Sequence, residues 1–374
     1  MKNQELHIVS FDNPYPPNYG GVIDVFYKIK ALNAIGYKIH LHCFTKQIPS
    51  DCEVLQSLCS EVFFYEINQN PFYLLCKRPF SVLSRSDAKL VENILKTDAP
   101  ILFDGLKTTF VRNDVRLKNY KKFLRLHNIE HNYYKGIAVS ETIFFKKIAF
   151  YFESWKYKYY EQEIGKFDNV FTLSEHENDY TQRKFSNAAY IPVFHGNETV
   201  KQLDGFGKFA FYHGDLTTSD NRKVVLFLIE VFKQIPEYQL VITSGTNRAF
   251  VNNNIQDVPN VKFVELSGFE QLLQLFEEAH LNICWSFQKS GTKLKLINAL
   301  FNSRFCIINE NIIDDKKVAD LCVLVNNKEA LIAAIKNVIQ TPFTESEHRK
   351  KILESHLNDI ENAKKLAAIL SEES

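Results

Sequence analysis

Short apolar runs alternate with helix-period segments along almost the whole chain, and this alternation constrains the fold more than any single residue does. Strands joined through helices pair in parallel, because a tight hairpin connects only antiparallel neighbours. In the first half the runs predicted as strands are 6–11, 38–44, 61–67, 101–105, 123–127, 170–174 and 190–194. In the second half they are 209–214, 239–243, 261–266, 281–285, 305–309 and 323–325. Between the first two runs Val22, Val25, Phe26, Ile29 and Leu32 recur at the 3.6-residue period, and Gly36 falls where a C-terminal cap belongs. Strand, glycine turn, amphipathic helix and strand make one Rossmann-like unit. The predicted class is therefore α/β.

A single core stops growing near 250–300 residues, so 374 residues predict two domains. The segment 195–208 breaks the pattern: it is polar, carries Gly196, Gly205 and Gly207, and has no apolar period. It reads as the linker. The expected division is 1–195, 196–344 and a closing helix within 345–374. Basic and acidic side chains number 45 and 44, which argues against a general nucleic-acid binder. Of the seven cysteines, Cys43, Cys284, Cys306 and Cys322 sit in apolar runs, and no C-x-x-C pair occurs. They read as reduced core residues of a cytoplasmic protein. The start of the chain runs straight into a strand pattern without the charged and apolar regions of a secretory leader. No apolar stretch reaches the length of a membrane span.

Open parallel sheets bind ligands beyond the carboxyl ends of their strands, so the loops after strands are the candidates. The loop 12–21 reads DNPYPPNYGG, and Gly20 and Gly21 lie directly before a helix whose N-terminus attracts anions. A tight turn is the plain alternative. The G-x-G-x-x-G of a dinucleotide oxidoreductase is absent. The segment 286–295 reads SFQKSGTKLK and opens a helix with Leu294, Ile297 and Phe301 on one face. Gly291, Thr292 and Lys293 at its start offer backbone N–H groups, a hydroxyl and a cation, the ingredients of a phosphate site; a capped surface helix is the alternative. Asn298 lies on the same stripe and suits a ribose hydroxyl or a nearby backbone group. The segment 125–134, RLHNIEHNYY, clusters His127, Glu130 and His131, and a neutral histidine can orient a hydroxyl near pH 7. No metal-binding spacing is present there. Arg222 and Lys223, at a helix start after the first strand of the second half, could reach a diphosphate or simply be solvated. The Tyr- and Lys-rich stretch 133–166 either rests on a membrane surface or packs on its own domain.

In this order, PYPPNYGG, RLHNIEHNYY, NVFTLSEHE, FYHGDLTTSDN and SGTKLKLINALFNS resemble glycosyltransferase family 4. The resemblance covers nearly the whole chain. It implies a GT-B fold, two Rossmann-like domains facing across a cleft, with the acceptor on the first and a UDP- or GDP-linked sugar on the second. The last helix would cross back to the first domain. Gly20 and Gly21 would face the donor phosphates, and Ser290, Gly291, Thr292 and Lys293 would hold the diphosphate with help from Arg222 or Lys223. His127 matches the family's histidine near the sugar, and Asn298 the position that contacts the ribose. The reaction implied is metal-independent, retaining transfer of a sugar to a glycan or lipid-linked acceptor in cell-surface polysaccharide synthesis, with no cofactor beyond the donor. No D-x-D motif stands at a strand end, where a GT-A enzyme would hold its cation. The chain departs from the family pattern where Ser290 and Asn298 replace glutamates eight residues apart and Ser303 replaces a glycine. Asn298 is the support for the alternative, a GT-B protein that binds without turnover. An acceptor-free sugar epimerase is a third reading.

Overall fold

The computed structural model describes residues 4–18, 20–141, 143–288 and 293–371. The chain divides into two compact units, Met1–Gly196 with Leu357–Ser374, and Asn197–His356. The first contains β1 (Glu5–Ser10), β2 (Lys38–Thr45), β3 (Glu61–Glu66), β4 (Ile101–Asp104), β5 (Lys122–Leu126), β6 (Asn169–Thr172) and β7 (Ala188–Tyr190). They form one sheet in the order β3-β2-β1-β4-β5-β6-β7, every pair parallel. The second contains β8 (Phe209–His213), β9 (Leu240–Ser244), β10 (Val261–Glu265), β11 (Ala279–Cys284), β12 (Phe305–Ile308) and β13 (Val323–Leu324). Their order is β10-β9-β8-β11-β12-β13, again all parallel.

Both sheets reverse their winding beside the first strand, between β1 and β4 and between β8 and β11. The crevice beyond the carboxyl ends at such a reversal is where open α/β sheets take ligands. The central strands β1 and β11 are buried almost throughout, as strands covered on both faces by helices must be.

The predicted runs match these strands to within two or three residues at each end except at β7. There the ladder ends at Tyr190, while the prediction ran on to 194. Pro192 has no N–H to donate, and the carbonyls of Ile191 and Pro192 accept instead from the Arg125 guanidinium at 2.8 and 3.0 Å. The first helix, Gly20–Ala34, buries the five predicted apolar positions, and Gly36 adopts a positive φ of 96° just past its end. The chain closes with two helices rather than the one expected. Glu347–His356 belongs to the second unit and Asp359–Ser371 to the first. Asn358 makes the break, its side chain accepting from the Glu361 N–H at 3.0 Å. Asp359 then accepts from the His195 and Gly196 N–H groups. Ala363, Leu366 and Leu370 share one core with Val22, Val25 and Ile29.

Candidate functional site

In the first unit the helix Gly20–Ala34 buries two charges on its apolar stripe, Asp24 and Lys28, one turn apart. Asp24 accepts from Arg125 at 2.8 and 3.1 Å, from Lys28 at 3.3 Å and from the Phe194 N–H at 2.9 Å. Lys28 also bonds Asp104, the last residue of β4, and Asp104 holds His127 through Nε2 at 2.5 Å. Asp24, Lys28, Asp104 and Arg125 are each at most 1% exposed. Burial alone would raise both carboxyls; Arg125 and Lys28 hold Asp24 well below its ordinary value, and Lys28 and His127 lower Asp104. Asp24, Asp104 and His127 bring ligand atoms within 4.8 Å of one another. Two side-chain cations already neutralise both carboxylates, so the cluster is an ion-pair network rather than a cation site.

The network ends at the mouth of the β1–β4 reversal. His127 is the one member with an exposed edge, at 13%. Asp104 engages Nε2, so Nδ1 is the ring nitrogen left to meet a hydroxyl, as an acceptor whenever it carries no proton. The Phe11 ring meets His127 edge-on at 5.4 Å, and Lys107 Nζ lies 3.9 Å from the Phe11 centroid. Gly21 lies at the tip of that ring; a Cβ there would stand 2.6 Å from Phe11 Cζ. A side chain at Gly21 would thus have to displace the Phe11 ring, and Gly21 joins the first predicted loop to His127 through Phe11. Burial pushes the Glu130 carboxyl up, opposed by Lys107, His127 and Arg85, and burial pushes the Lys107 amine down. His131 leaves this group: it bonds Glu161, which also takes Tyr180 at 2.9 Å and Lys184 at 2.8 Å. Gly20 is exposed at the helix start.

In the second unit the loop after β11 is pinned by its neighbours. Asp220 accepts from Ser286 Oγ at 2.8 Å and from the Phe287 N–H at 3.1 Å, and Asn309 donates to the Ser286 carbonyl at 2.8 Å. Ser290, Gly291 and Thr292 lie outside the described residues. Lys293 is the N-cap of the helix Leu294–Asn302, its carbonyl accepting from Leu296 at 2.9 Å. Lys295, which the residue pattern had not marked as a site residue, lies 5.0 Å over the Tyr212 ring and 3.5 Å from Asn221 Oδ1. Burial lowers its pKa, and burial with Lys295 nearby lowers His213 to about 3, so His213 is neutral. Arg222 spends one guanidinium nitrogen on the Leu216 and Thr217 carbonyls at 2.9 and 2.7 Å, while Lys223 stands 5.5 Å over the exposed Phe287 ring. Asn298 accepts from Asn197 Nδ2 at 2.9 Å, and Asn302 completes the trio by donating to Asn197 at 2.8 Å.

No family model matches the chain. The solved structures it resembles cover it end to end. A sucrose-phosphate synthase from Thermosynechococcus elongatus matches with a TM-score of 0.64 at 18% identity, over 98% of this chain and 96% of that one. A TarM mutant of S. aureus, crystallised with fondaparinux, alpha-GlcNAc-glycerol and UDP, gives 0.67 at 12% identity over 100% of both. The lipopolysaccharide outer core galactosyltransferase WaaB gives 0.62 at 11% identity, over 98% and 99%. This is the fold of the GT-B glycosyltransferases. Among curated proteins, an uncharacterised 44.6 kDa protein in the cps region of Klebsiella pneumoniae is 24% identical over 320 residues, 81% of this chain and 82% of its own length. No helix among the described residues is long and apolar enough to cross a membrane.

Proposed function

We propose that the chain is a glycosyltransferase that moves a sugar from a nucleotide-sugar donor to a glycan or lipid-linked acceptor in cell-surface polysaccharide synthesis. The observation that carries this reading is the match along the whole chain, both units included, to a sucrose-phosphate synthase, a galactosyltransferase and a TarM crystallised with UDP. The cps-region relative points to a capsule-like product. Transfer retains the anomeric configuration, needs no metal and takes place in the cytoplasm or at the inner face of the membrane.

Glycosyl transfer builds negative charge on the departing diphosphate and positive charge on the sugar. In the second unit Lys293 and Lys295 supply cations at the start of one helix, beside Gly291 and Thr292 in the sequence, and these hold the UDP or GDP moiety. Arg222 steadies the loop 216–217 and Lys223 assists from the neighbouring helix. Asn298 and its asparagine partners suit the ribose. In the first unit Asp104 fixes His127 so that Nδ1 takes a hydroxyl of the sugar or acceptor, and Gly20 and Gly21 leave backbone N–H groups for anionic oxygens. The alternative, nucleotide binding without turnover, draws on Asn298, which carries no charge and is already engaged by Asn197.

Calorimetric titration with UDP, GDP and ADP separately, followed by donor turnover with and without acceptor, tests the reading. Tight binding of one nucleotide and turnover that depends on acceptor are expected. Binding without turnover establishes the alternative, and interconversion of the donor without acceptor establishes an epimerase.

A further inference from the structure

More than half of the exposed large hydrophobic side chains among the described residues fall on one part of the first unit. The helix Phe144–Tyr160 carries most of them. Its inner side buries Glu153, Lys156 and Tyr157, with Tyr157 stacked on Tyr134 at 5.1 Å. Its outer side presents Phe144, Phe145, Phe152, Trp155 and Tyr159, each more than half exposed and Phe145 81% exposed. At 100° per residue these five fall within one stripe, the geometry of a helix with an apolar outer face. The short helix Pro71–Leu75 lies beside it, held by Lys156 Nζ on the Leu74 carbonyl at 2.8 Å, and adds Phe72 and an 85% exposed Leu75.

The exposed charges on this surface are cations, and Glu141, half-buried between the two helices, accepts from the Ile143 N–H at 2.9 Å. Lys77, Arg78, Lys135, Lys146 and Lys158 are exposed. The acidic residues of the two segments and of the adjoining helix Glu130–Ser140, Glu130 and Glu153, are both buried, and Glu153 is paired with Lys156 at 2.7 Å. A monomeric protein rarely leaves so large an apolar patch in water, so the patch has an occupant. A second copy docked by a two-fold axis would set lysines against lysines. A protein partner is a poor match too, because lysine is depleted at protein interfaces. Aromatic side chains mixed with lysine and arginine are the chemistry of the lipid headgroup zone.

We propose that this face lies on an anionic phospholipid surface, with the aromatic rings among the headgroups and the five cations against lipid phosphates. The inference stands on the face itself and does not depend on sugar transfer. If the acceptor is lipid-linked, the same contact brings the first unit to it.

The test is co-sedimentation of the full chain with vesicles of equal parts phosphatidylcholine and phosphatidylglycerol, and with vesicles of phosphatidylcholine alone. Binding is expected to the mixed vesicles, at least tenfold weaker to the neutral ones, and weakened by salt. Lys146→Glu with Lys158→Glu is expected to lower partitioning roughly fivefold or more for each lysine lost. Phe145→Ser with Trp155→Ser is expected to lower it more than tenfold; both side chains are exposed, and an unchanged thermal melt shows that the fold is kept. Only two tryptophans occur, and Trp285 is 3% exposed, so a blue shift of emission on binding reports Trp155. Trp155→Phe should abolish that shift while binding remains. Failure to bind the mixed vesicles, equal binding to both kinds, or binding indifferent to both double variants overturns the proposal. So does a dimer abolished by the same variants in a chain that leaves vesicles unbound. None of these readouts involves a donor sugar, so each outcome is distinguishable from failure of the transfer reading.

Discussion

Asp24→Asn should be among the most damaging near-isosteric changes in the first unit. The substitution keeps the side-chain shape and one oxygen for the Phe194 N–H, but removes the charge. Lys28 would then keep only Asp104 as a buried counter-ion, and Arg125, bonded otherwise to the Thr172, Ile191 and Pro192 carbonyls, would lose its paired carboxylate; both cations are 0% exposed. Breaking a buried ion pair by removing one partner costs about 3–5 kcal/mol, because the other charge stays out of water uncompensated. At about 1.4 kcal/mol per decade that is a roughly hundredfold or greater rise in opening. Hydrogen exchange followed by mass spectrometry reads it peptide by peptide: protection of β1, β4 and β5 should fall by that factor. Arg125→Met removes the partner charge, so the double variant should lose about 2 kcal/mol less than the sum of the two singles, as expected of residues in direct contact. A single-variant loss below about 1 kcal/mol, which is the range of solvent-exposed pairs, would refute the reasoning. Strict additivity in the double variant would refute the coupling.

Four further outcomes follow from the same geometry. Asp24 ionises below its ordinary value in the folded chain, so its contribution to stability is fully present above about pH 4 and is lost as pH falls below that, where the unfolded chain takes up the proton first; the urea midpoint of the first unit should drop between pH 5 and pH 3, and less so in Asp24→Asn/Arg125→Met. Lys293→Ala should weaken nucleoside diphosphate binding more than tenfold, about 1.4 kcal/mol, and unchanged affinity by calorimetry would remove Lys293 from the phosphate site. His127→Ala should lower transfer with nucleotide affinity nearly intact; a loss of affinity instead would take His127 out of the sugar site. Gly21→Ala forces the Phe11 ring to move, at a cost of about 1–3 kcal/mol, and should shift the His127 ring resonances in NMR as well as the melting temperature.

The sheets were legible because burial on both faces leaves continuous apolar runs, and helices between the runs leave a different period. The end of β7 was not, because its carbonyls turn to Arg125, a residue 66 positions away from Ile191. The buried network was half legible. Asp24 and Lys28 stand on the apolar stripe with Val25 and Ile29, and charges at buried helical positions signal partners, but nothing local names Asp104 or Arg125 as those partners. His127 was found from its place after β5; its orienting carboxylate comes from β4 and could only be seen in three dimensions. His131, close to His127 in sequence, is drawn off to Glu161 because the helix Glu130–Ser140 turns it the other way. Lys295 sits two residues beyond a marked lysine, and only the packing of Tyr212 beneath it sets it apart from a solvated side chain.

The helix Asp359–Ser371 completes the core of a unit whose other strands and helices all precede position 197. During synthesis, the middle of the chain is therefore released as a complete unit before the first unit has all its parts. Until residues 359–371 emerge, Val22, Val25 and Ile29 lack the cover of Ala363, Leu366 and Leu370, and the early unit waits with an open apolar surface. A change that keeps the helix Asp359–Ser371 from docking thus acts far away in the sequence, on the unit that carries His127.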